Sequence, residues 1–474
     1  MTVTDDPALL SLTELADGIA ARRVTARAAT EAYLARIAAL DPVVAAFVAV
    51  DGEGALRAAE AADAAVARGD RLGPLHGVPL AHKDMYYRAG ELTECGSRVR
   101  AGFRPDTTAT VLKRLDDAGA ITLGRLAMVE FAMGPHGYNE NLRQCRNPWR
   151  LDHVPCGSSS GSGVAVAARL AAGSLGSDTG GSVRCPASAN GVVGLLPTWS
   201  RVSRHGAMPM SPSLDSVGPL ARTAADCARL LGVIAGADPL DTTSSFRAVP
   251  DYAAGLSRPV AGVRVGIPEN YFDEGVGPEV AERVAAAVVE LRGLGASIVR
   301  VTVPEAVQLA ADLHPLMMKS EGAANHHLWM RGRQDDYSRE VRQRLQAGYF
   351  IPACDYVEAL KLRGPLLRAF ADAVFSRADV LMTPVLPNAA PTIAETTTAD
   401  GPAYLRMVVA LTRNTKPVNY FGLPAVSVPC GFTGAGLPSS FQLIGRPFSE
   451  ALLLRLAHQY QGRTDWHTKV PAAA

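Results

Sequence analysis

The first 70 residues show the spacing of apolar and polar positions that predicts helices. Ser11 and Glu14 fit a capping box, in which two side chains satisfy free backbone N–H groups at a helix start. A second helix is expected to end before Asp41 and Pro42, and a third, Ala-rich helix to cover 53–68. Because Ala-rich helices bury little apolar surface by themselves, residues 1–70 are predicted to form an N-terminal helical arm on a larger fold.

Short apolar segments alternate with helical patterns beyond the arm. The segments GVPLAHKD (77–84), ITLGRL (121–126) and GVVGLLPT (191–198) have the length and composition of buried strands. Between the first two, TATVLKRLDDAGA has the pattern of an amphipathic helix. This alternation predicts an α/β fold in which a sheet packs between helices.

A turn cluster, GADPLDTT, is predicted to join two parts of the chain. After it, residues 310–375 are expected to be mostly helical, and 384–402 to form a loop rich in Pro, Thr and Ala. We therefore expect a single domain over 1–474, in which 71–235 and 236–474 are the two halves that follow the arm.

Composition excludes several classes of protein. The chain has 474 residues, with 47 Lys and Arg against 46 Asp and Glu, so its formal net charge is +1. This balance provides no basic footprint for nucleic acid. The acidic N-terminus is unlike a secretory signal, so none is predicted. The chain has no apolar run of about 18 residues, so no membrane span is predicted. Seven cysteines without a CxxC pair are typical of a reduced, cytoplasmic chain.

The Gly/Ser stretch CGSSSGSG, residues 156–163, admits three interpretations. Its composition is that of a flexible loop, although an apolar helix follows directly. A phosphate-binding P-loop would need a lysine that this stretch lacks. The GxSxG pattern around Ser159 matches the nucleophile elbow of α/β-hydrolases, but that motif needs a buried strand before it. The preceding segment, CRNPWRLDHVP, is polar and broken by two prolines, which disfavours the elbow.

A lysine could act as the base for a serine nucleophile. Ser–Lys variants of the catalytic triad exist, but the lysine must be neutral, and burial is what disfavours its charged form. Lys83 ends an apolar predicted strand and is the candidate; a salt bridge with Asp84 is the alternative. In DTGGSVR, two glycines precede Ser182, and their flexible backbone could aim N–H groups at an oxyanion, although an ordinary turn has the same pattern.

Three blocks in order along the chain resemble the amidase signature family. They are GVPLAHKD, the long stretch CGSSSGSGVAVAARLAAGSLGSDTGGSVRCPAS, and the later segments VNYFGLPAVSVPCG and LPSSFQLIGRPF. The resemblance covers nearly the whole chain. It implies the amidase signature fold, an α/β fold with a large mixed β-sheet between helices. It also implies amide hydrolysis without a cofactor or metal.

The resemblance assigns roles to residues by position. It implies Ser182 as nucleophile, Lys83 as base and Ser158 as the serine that links them, with a cis peptide bond between Gly157 and Ser158. It implies an oxyanion hole from the backbone of Thr179, Gly180, Gly181 and Ser182, and a loop held by Asp178 and Arg184.

The resemblance leaves two functions open. One is a stand-alone amidase for a small-molecule amide, with esters or carbamates as further substrates; the other is the glutaminase subunit of a tRNA-dependent amidotransferase. Such subunits carry an aspartate shortly before TxPVN, where this chain has Thr412 and Arg413, so we expect the stand-alone enzyme. We then expect the substrate to carry an uncharged acyl group, unless Arg413 or Lys416 binds a carboxylate of the substrate. We expect the amide as partner, with no nucleic acid and no membrane, and leave a homodimer open.

The substrate pocket is expected between residues 131–139, 314–350 and 414–421. Met133, Gly134, Tyr349 and Asn414 are the predicted lining residues. Trp329 and Phe350 could add aromatic surface, although core packing would also use them.

Overall fold

A mixed eight-stranded sheet forms the centre of the computed structural model, which describes residues 6–398 and 401–472. The strand order in this sheet is β4-β6-β5-β10-β11-β9-β7-β8. Its strands are β4 (Gly173–Asp178), β5 (Val193–Leu196), β6 (Ser216–Ala221), β7 (Arg264–Pro268), β8 (Ser297–Val301), β9 (Val380–Pro384), β10 (Ala425–Phe432) and β11 (Pro438–Gly445).

The sheet is mixed because its two ends are built differently. β7 runs parallel to both β8 and β9, whereas the pairings from β4 to β9 along the strand order are antiparallel. The predicted α/β fold with a large mixed sheet between helices is confirmed.

Helices form most of the chain segments between the strands. No helix in the described part of the chain is long and apolar enough to cross a membrane. The helices are α1 (Leu12–Ala20), α2 (Ala26–Val44), α3 (Gly52–Arg68), α4 (Thr110–Asp117), α5 (Ser160–Ala167), α6 (Arg184–Asn190), α7 (Ala224–Ile234), α8 (Pro278–Gly293), α9 (Ala306–Gly332), α10 (Arg339–Gly348), α11 (Ala353–Phe370), α12 (Ile393–Thr398), α13 (Gly401–Thr412), α14 (Lys416–Phe421) and α15 (Glu450–Gln461).

A second, three-stranded sheet supports the candidate site. It has the order β1-β3-β2, formed by β1 (Phe47–Val50), β2 (Pro79–Lys83) and β3 (Ile121–Leu126). Every residue of β2 is buried, and β2 lies beside β4, the edge strand of the large sheet. The final residue of β2, Lys83, is thereby brought against β4.

The helical arm has the predicted capping box but a longer second helix. Ser11 and Glu14 satisfy each other's backbone N–H groups at the start of α1, as predicted. The expected end of α2 before Pro42 is wrong, because the helix continues to Val44. Pro42 lies in its last turn, and the Asp41 carboxylate accepts the N–H groups of the residues just beyond the helix.

The predicted loop over 384–402 contains one helix and the start of another. α12 occupies Ile393–Thr398 and α13 begins at Gly401, while residues 399 and 400 lie outside the described residues. The Thr392 hydroxyl accepts the Glu395 N–H at 3.1 Å, and the Glu395 carboxylate accepts the Thr392 N–H at 2.7 Å. The T-x-x-E pattern of this capping box is present in the sequence, but the Pro and Ala residues that flank it favoured the prediction of a loop.

Candidate active site

Lys83 lies within hydrogen-bond distance of two serine hydroxyls. Its Nζ is 2.7 Å from Ser158 Oγ and 2.8 Å from Ser177 Oγ, and the lysine is 1% exposed. Burial lowers the pKa of Lys83 to about 7, although the charges of Asp215 and Asp178 oppose this shift. A large fraction of Lys83 is therefore neutral near pH 7 and able to accept a proton.

Asp84 does not neutralise Lys83 through a salt bridge. Its carboxylate accepts a hydrogen bond from Arg125 Nη1 at 2.6 Å instead. Successive residues of a strand point to opposite faces, so Lys83 and Asp84 diverge at the end of β2. The alternative interpretation of Lys83 as an ion-pair partner of its neighbour is wrong.

The Gly/Ser stretch brings Ser158 to Lys83. The Gly157–Ser158 peptide bond is cis, as the family resemblance implied, and Ser158 is fully buried. A β-carbon on Gly157 would lie 2.9 Å from Val129 Cγ2 and 3.0 Å from Gly137 N, so the loop leaves room only for glycine there. The stretch is therefore a tightly packed turn and not a flexible loop.

Ser159 is in a different environment from that of a nucleophile elbow. No β-strand leads into it, since residues 154–159 have neither helical nor strand structure. Its hydroxyl is fully buried and lies 3.3 Å from both the N and the O of Ser177. The Ser159 side chain thus joins the loop to β4, and the requirement of the elbow for a preceding strand is not met.

Ser182 is the serine that reaches open space. It is partly exposed and lines a cavity of about 260 Å³. Its backbone carbonyl accepts the Ser159 N–H at 3.3 Å, so the loops that carry Ser158 and Ser182 are held together.

A buried Asp178–Arg184 pair holds the loop between β4 and α6. The Asp178 carboxylate accepts N–H groups from Gly181 at 2.7 Å and Val183 at 3.1 Å, and Arg184 Nε at 3.1 Å. Burial alone would raise the pKa of Asp178, but the Arg184 charge and these hydrogen bonds hold it below its usual value. A permanently charged carboxylate therefore fixes the course of this turn.

Arg184 also ties the turn to the C-terminal half of the chain. Its guanidinium donates to Gln442 Oε1 at 2.9 Å, Asn419 Oδ1 at 2.6 Å and the Thr415 carbonyl at 3.2 Å. Asn419 and Thr415 belong to α14 and its N-cap, and Gln442 to β11. Sequence analysis missed these partners because they lie more than 200 positions away from Arg184.

The structure corrects one predicted oxyanion donor. The Gly181 N–H donates to Asp178 at 2.7 Å and is not free for a ligand. The N–H groups of Thr179, Gly180 and Ser182 donate to no other described residue. Gly181 is needed for its conformation, because its φ is +128° and a β-carbon there would lie 2.4 Å from Thr415 Oγ1.

Two side chains that sequence analysis missed orient these peptide groups. His314 Nε2 lies 2.8 Å from the Thr179 carbonyl oxygen, and Thr415 Oγ1 donates to the Gly180 carbonyl at 2.6 Å. Burial, assisted by the Lys416 charge, lowers the pKa of His314 to about 3, so the ring is neutral and its Nε2–H is the donor. Because C=O and N–H point in opposite directions in a trans peptide, these bonds set where the N–H groups of Gly180 and Gly181 point.

The cavity that contains Ser182 lies partly where the sequence placed it. Residues of the segments 132–135 and 179–182 line it, together with side chains of α9, α10, α13 and Lys416. Of the four predicted lining residues, Gly134 is present in this wall. Helix α13 contributes Tyr404, Leu405 and Val408, which lie just after the region predicted to be a loop.

Met133, Tyr349 and Asn414 do not line the cavity, and these predictions are corrected. Met133 is buried in the core against Gly322 of α9. Tyr349 is 45% exposed beyond the end of α10, where its hydroxyl reaches the Ala323 carbonyl at 3.4 Å. Asn414 is buried and donates to the Phe272 and Pro384 carbonyls, where it fastens its own loop.

Comparison with known proteins shows the family. Residues 28–454 match the Amidase family. The chain belongs to the amidase family. One relative, a glutamyl-tRNA(Gln) amidotransferase subunit from Geobacter metallireducens, is 40% identical over 97% of this chain and 98% of its own length.

Two solved structures of similar proteins match nearly the whole chain. One, described by the words "an unexpected vestigial protein complex reveals the evolutionary origins of an s-triazine catabolic enzyme", has a TM-score of 0.89 and 34% identity, covering 96% of this chain and 98% of its own. The peptide amidase from Stenotrophomonas maltophilia has a TM-score of 0.83 and 33% identity, covering 96% of both chains.

The expectation of a small-molecule amide as the lone partner, with no nucleic acid, is wrong. The name of the Geobacter relative includes both a subunit of an assembly and a glutamyl-tRNA. The near-neutral net charge of this chain could not indicate such a relative, because an average over the whole chain does not reveal local charged surfaces.

Proposed function

We propose that this amidase hydrolyses the C–N bond of an amide through an acyl-enzyme on Ser182. The observation that carries the proposal is the 2.7 Å approach of buried Lys83 Nζ to Ser158 Oγ, on a loop held against the segment of Ser182. Ser182 is the member of this group that lines the cavity and can meet a substrate. Membership of the amidase family supports the same chemistry.

In the proposed first step, neutral Lys83 accepts the Ser158 proton while Ser158 takes the proton from Ser182. The Ser182 oxygen then forms a bond to the amide carbon, and the carbonyl π electrons move to oxygen. Burial of Lys83 is what makes this possible, because a lysine with an ordinary pKa would already be protonated at pH 7. Ser177 supplies a second hydroxyl at 2.8 Å that holds the amine in place.

The free N–H groups of Thr179, Gly180 and Ser182 are the proposed donors to the tetrahedral oxyanion. Such preorganised donors stabilise the charge that develops in the transition state. The proton then returns through Ser158 to the leaving nitrogen, the C–N bond breaks, and the acyl group remains on Ser182. Water repeats the cycle, releasing the acid and restoring the serine.

Trapping of the acyl-enzyme tests this proposal. A p-nitrophenyl ester of a short acid should acylate the protein, with a burst of about one nitrophenolate per chain if deacylation is slow. Peptide mass spectrometry should find the added acyl mass on Ser182. Acylation of Ser159 instead, or no covalent adduct in quenched samples during turnover, would contradict the mechanism.

A second candidate function is the glutaminase subunit of a tRNA-dependent amidotransferase. It is favoured by relatives of about 40% identity that cover nearly the whole chain and are named as subunits of glutamyl-tRNA(Gln) amidotransferase. In this function Ser182 would take the acyl group of glutamine and release ammonia. The other subunits of the assembly and glutamyl-tRNA(Gln) would then be partners.

Glutamine turnover separates the two candidates. As a glutaminase subunit, the chain should release ammonia from glutamine faster than from glutaramate, which lacks only the α-amino group, and the other amidotransferase subunits with glutamyl-tRNA(Gln) should raise the rate. A stand-alone amidase should hydrolyse glutaramate at least as well as glutamine. Thr412 stands near the position where glutaminase subunits are expected to carry an aspartate. It lines the cavity, but its hydroxyl donates to the Val408 carbonyl at 2.7 Å.

A further inference from the structure

Three basic side chains line the cavity that contains Ser182. Lys319 lies on α9, Arg344 on α10 and Lys416 at the start of α14. Among the described residues that line the cavity, none is Asp or Glu. The cavity therefore has an excess of positive charge beside the candidate nucleophile.

Arg344 is compensated by a carboxylate behind the cavity wall. It lies 2.9 Å from Glu340, whose carboxylate also contacts His136 at 2.9 Å and the Tyr404 hydroxyl. This network fixes Arg344 in position and offsets most of its charge. Arg344 is therefore part of the wall and not the main source of the excess charge.

Lys319 and Lys416 have no such partner. Neither ammonium group forms a hydrogen bond or an ion pair with any residue in the described ranges. Arg413, the other cation that the sequence placed near a substrate carboxylate, pairs instead with Glu274 outside the cavity. Two uncompensated positive charges therefore face the space where a substrate must enter.

Lys416 lies directly beside the proposed oxyanion site. A β-carbon built on Gly180 would lie 3.6 Å from Lys416 Cγ, so the lysine side chain passes over that glycine. Burial, with repulsion from Arg344 and Lys319, lowers the pKa of Lys416 to about 8. A bound anion would relieve this repulsion and favour the charged lysine.

We propose that Lys416 and Lys319 bind a carboxylate carried by the substrate, which makes half-amides of short dicarboxylic acids the preferred substrates. The proposal rests on the proposed amide hydrolysis at Ser182. A carboxylate entering this cavity gains attraction from two partly buried ammonium groups, whereas a neutral chain gains none and an ammonium group is repelled. The volume of about 260 Å³ suits an acyl chain of a few carbons.

Binding to the Ser182→Ala variant tests this inference without turnover. Glutaramate and pentanamide differ only in a carboxylate in place of a methyl group, and calorimetry should show glutaramate binding about tenfold tighter or more. Adding Lys416→Met should remove most of this difference. Lys319→Met provides a second, independent variant with the same expected direction.

Lys361→Met is the matched control, because Lys361 is a solvent-exposed lysine on α11 with a side chain 71% exposed. It should leave both affinities unchanged. If glutaramate binds no tighter than pentanamide, or if both cavity variants keep the full preference, the inference is overturned. Hydrolysis that survives in Ser182→Ala would instead contradict the proposed mechanism and leave the binding result standing.

Discussion

Ser182→Ala is expected to lower amide hydrolysis by about a thousandfold or more while the protein remains folded. The variant removes the oxygen that forms the acyl bond, and the remaining oxyanion donors and cavity give only residual catalysis. The side chain is partly exposed and lines the cavity, so its loss removes no core packing. Ammonia release from a primary amide measures the activity, and a thermal unfolding curve checks the fold.

Ser159→Ala is the matched control for this loss. Ser159 is the serine at the centre of the GxSxG pattern, but its hydroxyl contacts only the backbone of Ser177. We expect Ser159→Ala to keep more than about a tenth of the activity, because only weak, long hydrogen bonds are lost. An inactive Ser159→Ala beside an active Ser182→Ala would reverse the assignment of the nucleophile.

Lys83→Met is expected to cause a comparable loss, of about a thousandfold, for a different reason. Methionine fills the buried space but cannot accept the Ser158 proton, so Ser182 loses its route to a base. The kinetics should be measured with an uncharged amide such as pentanamide, because this substrate has no carboxylate for Lys416 to bind. Lys113→Met, at a side chain 69% exposed on α4, is the control and should be fully active.

The pH profile of activity tests the proposed role of Lys83 as the base. Its pKa is lowered by burial to about 7, and the neutral form is the active one. Activity of the native enzyme on pentanamide should therefore rise with pH through about 7 and then level off. The residual activity of Lys83→Met should not show this rise with pH. A native activity that stays constant from about pH 5.5 to 8.5 would contradict the role of Lys83.

The same shift predicts a change in stability. Between about pH 7 and its ordinary value of 10.5, the unfolded chain binds a proton on Lys83 more strongly than the folded protein does. This group therefore destabilises the fold at pH 7, and its contribution becomes less unfavourable as pH rises towards 10.5. Lys83→Met should raise the melting temperature at pH 7, despite the loss of two hydrogen bonds, because methionine removes the free-energy cost of burying an amine that the unfolded chain holds protonated.

The fold was largely predictable because its signals are local. The strand ending at Lys83 and the capping box of α1 each depend on a few consecutive residues, and both are present. β1 and the helix that begins at Gly401 were missed, because a four-residue strand and a short amphipathic helix carry weak patterns. The pocket residues were least predictable, since a shift of one or two positions along a helix decides whether a side chain such as Tyr349 faces the cavity or solvent.

The sequence by itself determined the family, the α/β fold and the identity of Lys83, Ser158 and Ser182 as candidates, because the spacing of conspicuous motifs is written along the chain. Only the tertiary structure decided what these residues can do. The lowered pKa of Lys83 depends on burial between two sheets, and the Gly180 N–H is aimed by the bond of His314 to the Thr179 carbonyl, 135 positions away. Dielectric environment and the direction of a hydrogen bond arise when distant segments pack together, and no local pattern records them.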